Sequence, residues 1–164
     1  MKLSTGRLNG LGEAYTSRSN GLIDAINNSH YKRLNKSTFS SQMQKNIDEL
    51  NNSLLEVNGQ FKLFDNDMRK AHLNKQINDS TYQSKKEIAA KILLELNNME
   101  AAAKTLAVLE SKFQRRYKKL DEIWIGENTK PNALMKKMES KIDIIKKGQL
   151  EFQSLSNALK PKPE

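Results

Sequence analysis

Nine apolar residues, Phe39, Met43, Ile47, Leu50, Leu54, Val57, Phe61, Phe64 and Met68, follow one another at steps of three or four positions. Such spacing returns each side chain to the same side of an α-helix, and over four heptads it builds a seam that only another helix can cover. Helix is permitted throughout this region, because the prolines stand at 131, 161 and 163 and nothing before residue 130 forces a break.

Other segments repeat the pattern. Leu8, Leu11, Tyr15, Leu22 and Ile26 predict a first helix over 7–30, weakened by the glycines at 6, 10, 12 and 21. The long seam predicts a second over 38–76, opened by Thr38 as N-cap. Ser80-Thr81-Tyr82-Gln83 has the form of a capping box and starts a third over 80–123, carrying Ile88, Ile92, Leu96, Met99, Ala103, Leu106, Phe113, Tyr117, Leu120 and Trp124. Thr129 and Pro131 then announce a fourth over 131–159 with Leu134, Met138, Ile142, Ile145, Phe152, Leu155 and Leu159, before a polar tail at 161–164.

Facing residues of an antiparallel hairpin have numbers of near-constant sum. The second and third segments match in this way, pairing Val57 with Met99, Leu50 with Leu106, Met43 with Phe113 and Phe64 with Ile92, about a midpoint at Asn78. The third and fourth match as Leu120 with Leu134, Phe113 with Ile142, Leu109 with Ile145 and Met99 with Leu155, about a turn at Gly126–Asn128. The expected fold is therefore all-α: a single elongated antiparallel coiled-coil bundle of three to four helices, formed by two consecutive long hairpins. The first helix fits either the hairpin that follows it or a second chain.

Composition agrees with a narrow core and a broad polar surface, for 37% of the residues are hydrophobic and 6% aromatic. The formal charge of +9 favours acidic partners without choosing among them. With no cysteine, disulfides, thiolate metal sites and a cysteine nucleophile are excluded. No ordinary secretory signal and no membrane-spanning run is visible, so a soluble chain is expected whose localisation stays open, cytoplasmic by default or exported by a route that does not read a cleaved hydrophobic leader.

Catalytic chemistry finds no foothold. His30 and His72 lie in different segments without a neighbouring ligand set, and Asp65-Asn66-Asp67 has Lys70 where a calcium loop needs glycine. Phosphate-loop, dinucleotide, hydrolase and zincin signatures are all missing. No enzyme activity, cofactor, metal or catalytic residue is expected.

The candidate interaction residues are Arg115, Arg116, Lys118 and Lys119, with Lys136 and Lys137 beside them across the hairpin, and Trp124, the single tryptophan. Ala101-Ala102-Ala103 is a further place where another helix could approach closely. Trp124-Ile125-Gly126 resembles the W-x-G turn of the WXG100 family, helical hairpins exported as dimers by type VII secretion systems. The resemblance covers residues 85–158; the additional N-terminal helices and the strong positive charge depart from that family, and its Y-x-x-x-[DE] export signal is absent after the last helix.

A non-enzymatic helical interaction or assembly protein is expected, binding itself as a homo-oligomer or another helical protein, in the manner of accessory factors of bacterial secretion or phage assembly. The alternative is a nucleic-acid-associated protein that sets its basic cluster against phosphates.

Overall fold

The computed structural model describes residues 6–27 and 32–159, with side chains over 13–24 and 33–159. The chain order is α1 (Gly6–Asn27), β1 (Lys32–Asn35), α2 (Lys36–Leu73), α3 (Asp79–Arg116), β2 (Glu122–Ile125) and α4 (Lys130–Leu159). The long helices α2, α3 and α4 pack against one another, α3 lying between the other two in sequence and against both in space. At about 1.5 Å per residue, the 38 residues of α2 or of α3 span about 57 Å, which makes the molecule a rod.

The seam of α2 is the core. Phe39, Met43, Ile47, Leu50, Leu54, Val57, Phe61, Phe64 and Met68 are all buried, and so are Ile92, Leu96, Met99, Ala103, Leu106 and Phe113 of α3. Helix starts differ from the expected caps. Asn35, not Thr38, caps α2, its Oδ1 accepting from the Thr38 N–H at 3.0 Å. Asn78, not Ser80, caps α3 by accepting from the Thr81 N–H at 2.7 Å. In both cases an asparagine upstream of the expected Ser or Thr cap accepts from the amide three residues after itself, so the helix starts two or three residues earlier than expected. Between these helices Lys75 takes a left-handed φ of 61°, the conformation that ends a helix and usually selects glycine.

Two expectations about the third segment need correction. First, α3 stops at Arg116 rather than near 123, and Trp124 belongs to a strand instead of the helical seam. Glu122-Ile123-Trp124-Ile125 alternates exposed and buried side chains, and its β-branched and aromatic residues suit an extended chain. It pairs antiparallel with β1, setting Lys32 opposite Ile125, Arg33 opposite Trp124, Leu34 opposite Ile123 and Asn35 opposite Glu122. A small two-stranded sheet thus caps an otherwise helical fold.

Second, the hairpin of α3 and α4 has slipped by one heptad. Met99, expected to face Leu155, instead lies against Gly148, where an added Cβ would come within 2.5 Å of Met99 Cγ. Because the strand occupies the connection, the two helices do not meet at a tight turn at 126–128. A seam repeating every seven residues remains largely apolar after a slide of seven, so the slipped pairing is still a seam, with Gly148 in place of Leu155 opposite Met99.

Helix α1 rests on α2 and α4 rather than on the α2–α3 hairpin. Tyr15 and Ile23 are its buried apolar residues among those described, and Thr16 and Ser19 are buried with them. Burial raises the Tyr15 hydroxyl pKa well above the usual tyrosine range, and Ser19 beside it only partly offsets this. Among the described residues the hydroxyl finds no partner at hydrogen-bond geometry, the Ser19 hydroxyl being directed to Met43 Sδ at 3.5 Å. Tyr15→Phe is therefore expected to stabilise the fold by about 1 kcal/mol, because it removes a buried donor that gains nothing. A lower midpoint in urea for that variant would show instead that the hydroxyl is satisfied.

Candidate interaction surface

The end of the rod that carries the sheet is where the candidate residues gather. Arg115 and Arg116 form the last turn of α3, where cations complement the helix dipole, and Lys118 and Lys119 follow in the turn. All four are exposed, as are Lys136 and Lys137 on the first turns of α4. The heptad slip moves the latter pair: carried along from Met99 and Gly148, the register places them level with Ser111 and Glu110 rather than with Lys118 and Lys119. Among residues 112–137 the acids are Asp121, Glu122 and Glu127, so this end is strongly basic.

Lys36, which sequence reading passed over, organises that end. Its side chain is buried, and its Nζ donates to the carbonyls of Tyr117 at 2.7 Å and Lys118 at 3.1 Å. Its backbone N–H donates to Asp121 O at 3.0 Å. One residue at the start of α2 thus satisfies carbonyls beyond the end of α3 and continues into the strand pair. Thr129 fixes the next turn, accepting from Gly126 N–H at 3.1 Å and donating to Gly126 O at 3.0 Å, while Asn132 Nδ2 donates to Glu127 O at 2.8 Å.

Trp124 does not continue the helical seam of α3. Its strand neighbours Ile123 and Ile125 point inward, and Trp124 remains 43% exposed on the opposite face, across from Arg33. An indole on a strand pinned at both ends, beside an arginine, has the composition of a binding anchor.

Beneath this surface Glu110 of α3 is buried. Burial raises its carboxyl pKa, and the Ser40 and Gln114 side chains only partly counter that. A carboxyl with a raised folded pKa binds more protons folded than unfolded, so stability declines as pH rises from the ordinary carboxylate range through the raised value. Glu110→Gln should flatten this decline and raise the melting temperature at neutral pH. Equal pH profiles for the two proteins, followed by thermal melts, would contradict it.

At the opposite end His72 stacks on Tyr82 with ring centroids 4.0 Å apart, and its Nε2 lies 2.7 Å from Asp79 Oδ1. His30 lies outside the described residues. Among the described residues no group of three or more His, Asp or Glu side chains is placed to hold a metal, and no helix is long and apolar enough to cross a membrane. No protein-family model matches the chain, and no curated protein or solved structure matches it.

Proposed function

We propose that this chain is a non-enzymatic helical interaction protein that works by laying an exposed seam against another helical protein or a second copy of itself. What supports the reading is a second heptad row on the outside of α3. Leu94, Ala101 and Val108 recur every seven residues, with Leu94 58% and Val108 54% exposed. A helix needs one apolar stripe to hold its place in a bundle, and a second stripe at the same spacing is the pattern by which a further helix is bound.

A second reading attaches to the basic end. Trp124 with Arg33, Arg115, Arg116, Lys118 and Lys119 combines a stacking ring with cations, which suits single-stranded nucleic acid. Light scattering coupled to size exclusion at about 0.1 and about 0.5 M salt, with absorbance followed at two wavelengths, separates the two. An assembly larger than the monomer, free of nucleic acid and indifferent to salt, is expected. A monomer that carries nucleic acid and releases it at high salt would overturn the helical-partner reading.

A further inference from the structure

Helix α1 is held less firmly than the long helices it rests on. Over 13–24 its buried apolar side chains are Tyr15 and Ile23, with Leu22 partly buried. By contrast α3 fixes itself between its neighbours with Ile92, Leu96, Met99, Ala103, Leu106 and Phe113, none of which keeps any exposed surface.

The other buried side chains of α1 are polar, and so is part of what they meet. Thr16 and Ser19 are buried, and Ser19 Oγ is directed to Met43 Sδ of α2, a weak acceptor, at 3.5 Å. Gln149 of α4 is also buried and lines the same groove as Thr16. The Tyr15 hydroxyl, the Thr16 hydroxyl and Gln149 Nε2 find no hydrogen-bond partner among the described residues. A buried polar group without a partner weakens the contact it sits in, whereas an apolar group of the same shape would strengthen it.

Charge does not make up the difference. Glu13 and Asp24 of α1 share the groove with Lys146 of α4, yet none of the three forms an ion pair among the described residues. Gly21, on the same groove, has nothing within 4 Å of the place its Cβ would take. Glycine there weakens the helix without permitting any closer approach.

We infer that α1 is a releasable strap: it leaves α2 and α4 and unfolds as one unit while the bundle of α2, α3 and α4 stays folded. The bundle can stand alone in this way because α3 packs against both α2 and α4, so its core does not pass through α1. Release uncovers Met43 of α2 and Gln149 of α4, which makes α1 a gate over that flank of the rod. The device does not depend on which partner the outer seam of α3 takes.

Amide exchange of the full chain over a series of low urea concentrations tests it. Residues 13–24 are expected to exchange at least about tenfold faster than 92–106, with a weaker dependence on urea, because a local opening exposes less surface than global unfolding. Thr16→Val keeps the shape and removes the unpartnered hydroxyl, so it should slow exchange over 13–24 by about fivefold and leave 92–106 unchanged. Gly21→Ala should slow the same residues by about two- to fivefold. Ser17 and Gln153 are exposed on the groove, and the chain has no cysteine. Ser17→Cys with Gln153→Cys, joined by a short bismaleimide, should therefore lock α1 down and bring its exchange towards the rate of the bundle. Circular dichroism verifies that each variant is folded.

A single rate and a single urea dependence for 13–24 and 92–106 would make α1 part of one cooperative unit and overturn the strap. Fast exchange over 13–24 that persists in the cross-linked chain would show α1 fraying in place, and would overturn its release as a unit.

Discussion

Phe113→Ala is expected to destabilise the fold by about 3–5 kcal/mol, the usual cost of emptying a fully buried aromatic site. Phe113 has no exposed surface, and its ring lies 5.4 Å from that of Phe39 and 5.3 Å from that of Tyr117. These rings join the first turns of α2, the last turns of α3 and the turn that follows. Deleting the middle ring forfeits both aromatic contacts and leaves a cavity that two long, stiff helices cannot close by local adjustment. For a chain of this size the loss corresponds to a fall in melting temperature of about 10 °C or more. Phe113→Leu, which keeps most of the volume, should lose about 1 kcal/mol. A loss for Phe113→Ala as small as that for the leucine variant would mean that this end of the bundle repacks freely.

Phe113 was legible because it stands in an apolar row, and the same is true of most of the core. The rows that were not legible are filled by polar residues. Along α4, Met135, Ile142, Gln149 and Ser156 recur every seven residues and are buried, and along α2 Phe39, Asn46 and Ser53 do the same. Gln149 and Thr16 both line a groove between α1 and α4, so part of the α1 seat is polar. Hydrophobic periodicity does not register a seat built from Asn, Ser and Gln, which explains why the choice between neighbouring hairpin and second chain could not be resolved for α1.

The slip of α3 on α4 has a different origin. Tyr117, Leu120 and Trp124 continue the spacing of the α3 seam, and the alternation of Glu122-Ile123-Trp124-Ile125 lies within the same stretch. Two periods compete there, and what favours the strand is distant in sequence: β1, some ninety residues earlier, supplies its partner. Once the helix ends at Arg116, heptad degeneracy allows the next register. The basic cluster could be read from the sequence, whereas the lysine that organises it could not. Lys36 looks like one more solvated cation until α3 ends beside it.

Lys36→Met tests that role. Methionine keeps the length of the buried stem but cannot donate, so the Tyr117 and Lys118 carbonyls lose the ammonium they now share at 2.7 and 3.1 Å. Hydrogen bonds to a charged donor contribute about 1.5–3 kcal/mol, and partly buried carbonyls left without it bring the expected loss to the upper part of that range. The melting temperature should fall by about 5–10 °C. The damage should also be local. The Lys36 N–H to Asp121 O bond and the β1–β2 ladder follow directly from this cap, so amide exchange should accelerate across 122–125 while the middle of α2 keeps its protection. Uniform acceleration would make Lys36 a general stabiliser, and an unchanged melting temperature would mean that water replaces the ammonium at no cost. If the local pattern is found, the orientation of Trp124 and Arg33 depends on a lysine that touches neither. Weaker partner binding by Lys36→Met would then report loss of the platform, and its salt dependence should stay close to that of the unaltered chain because the exposed cations are all retained.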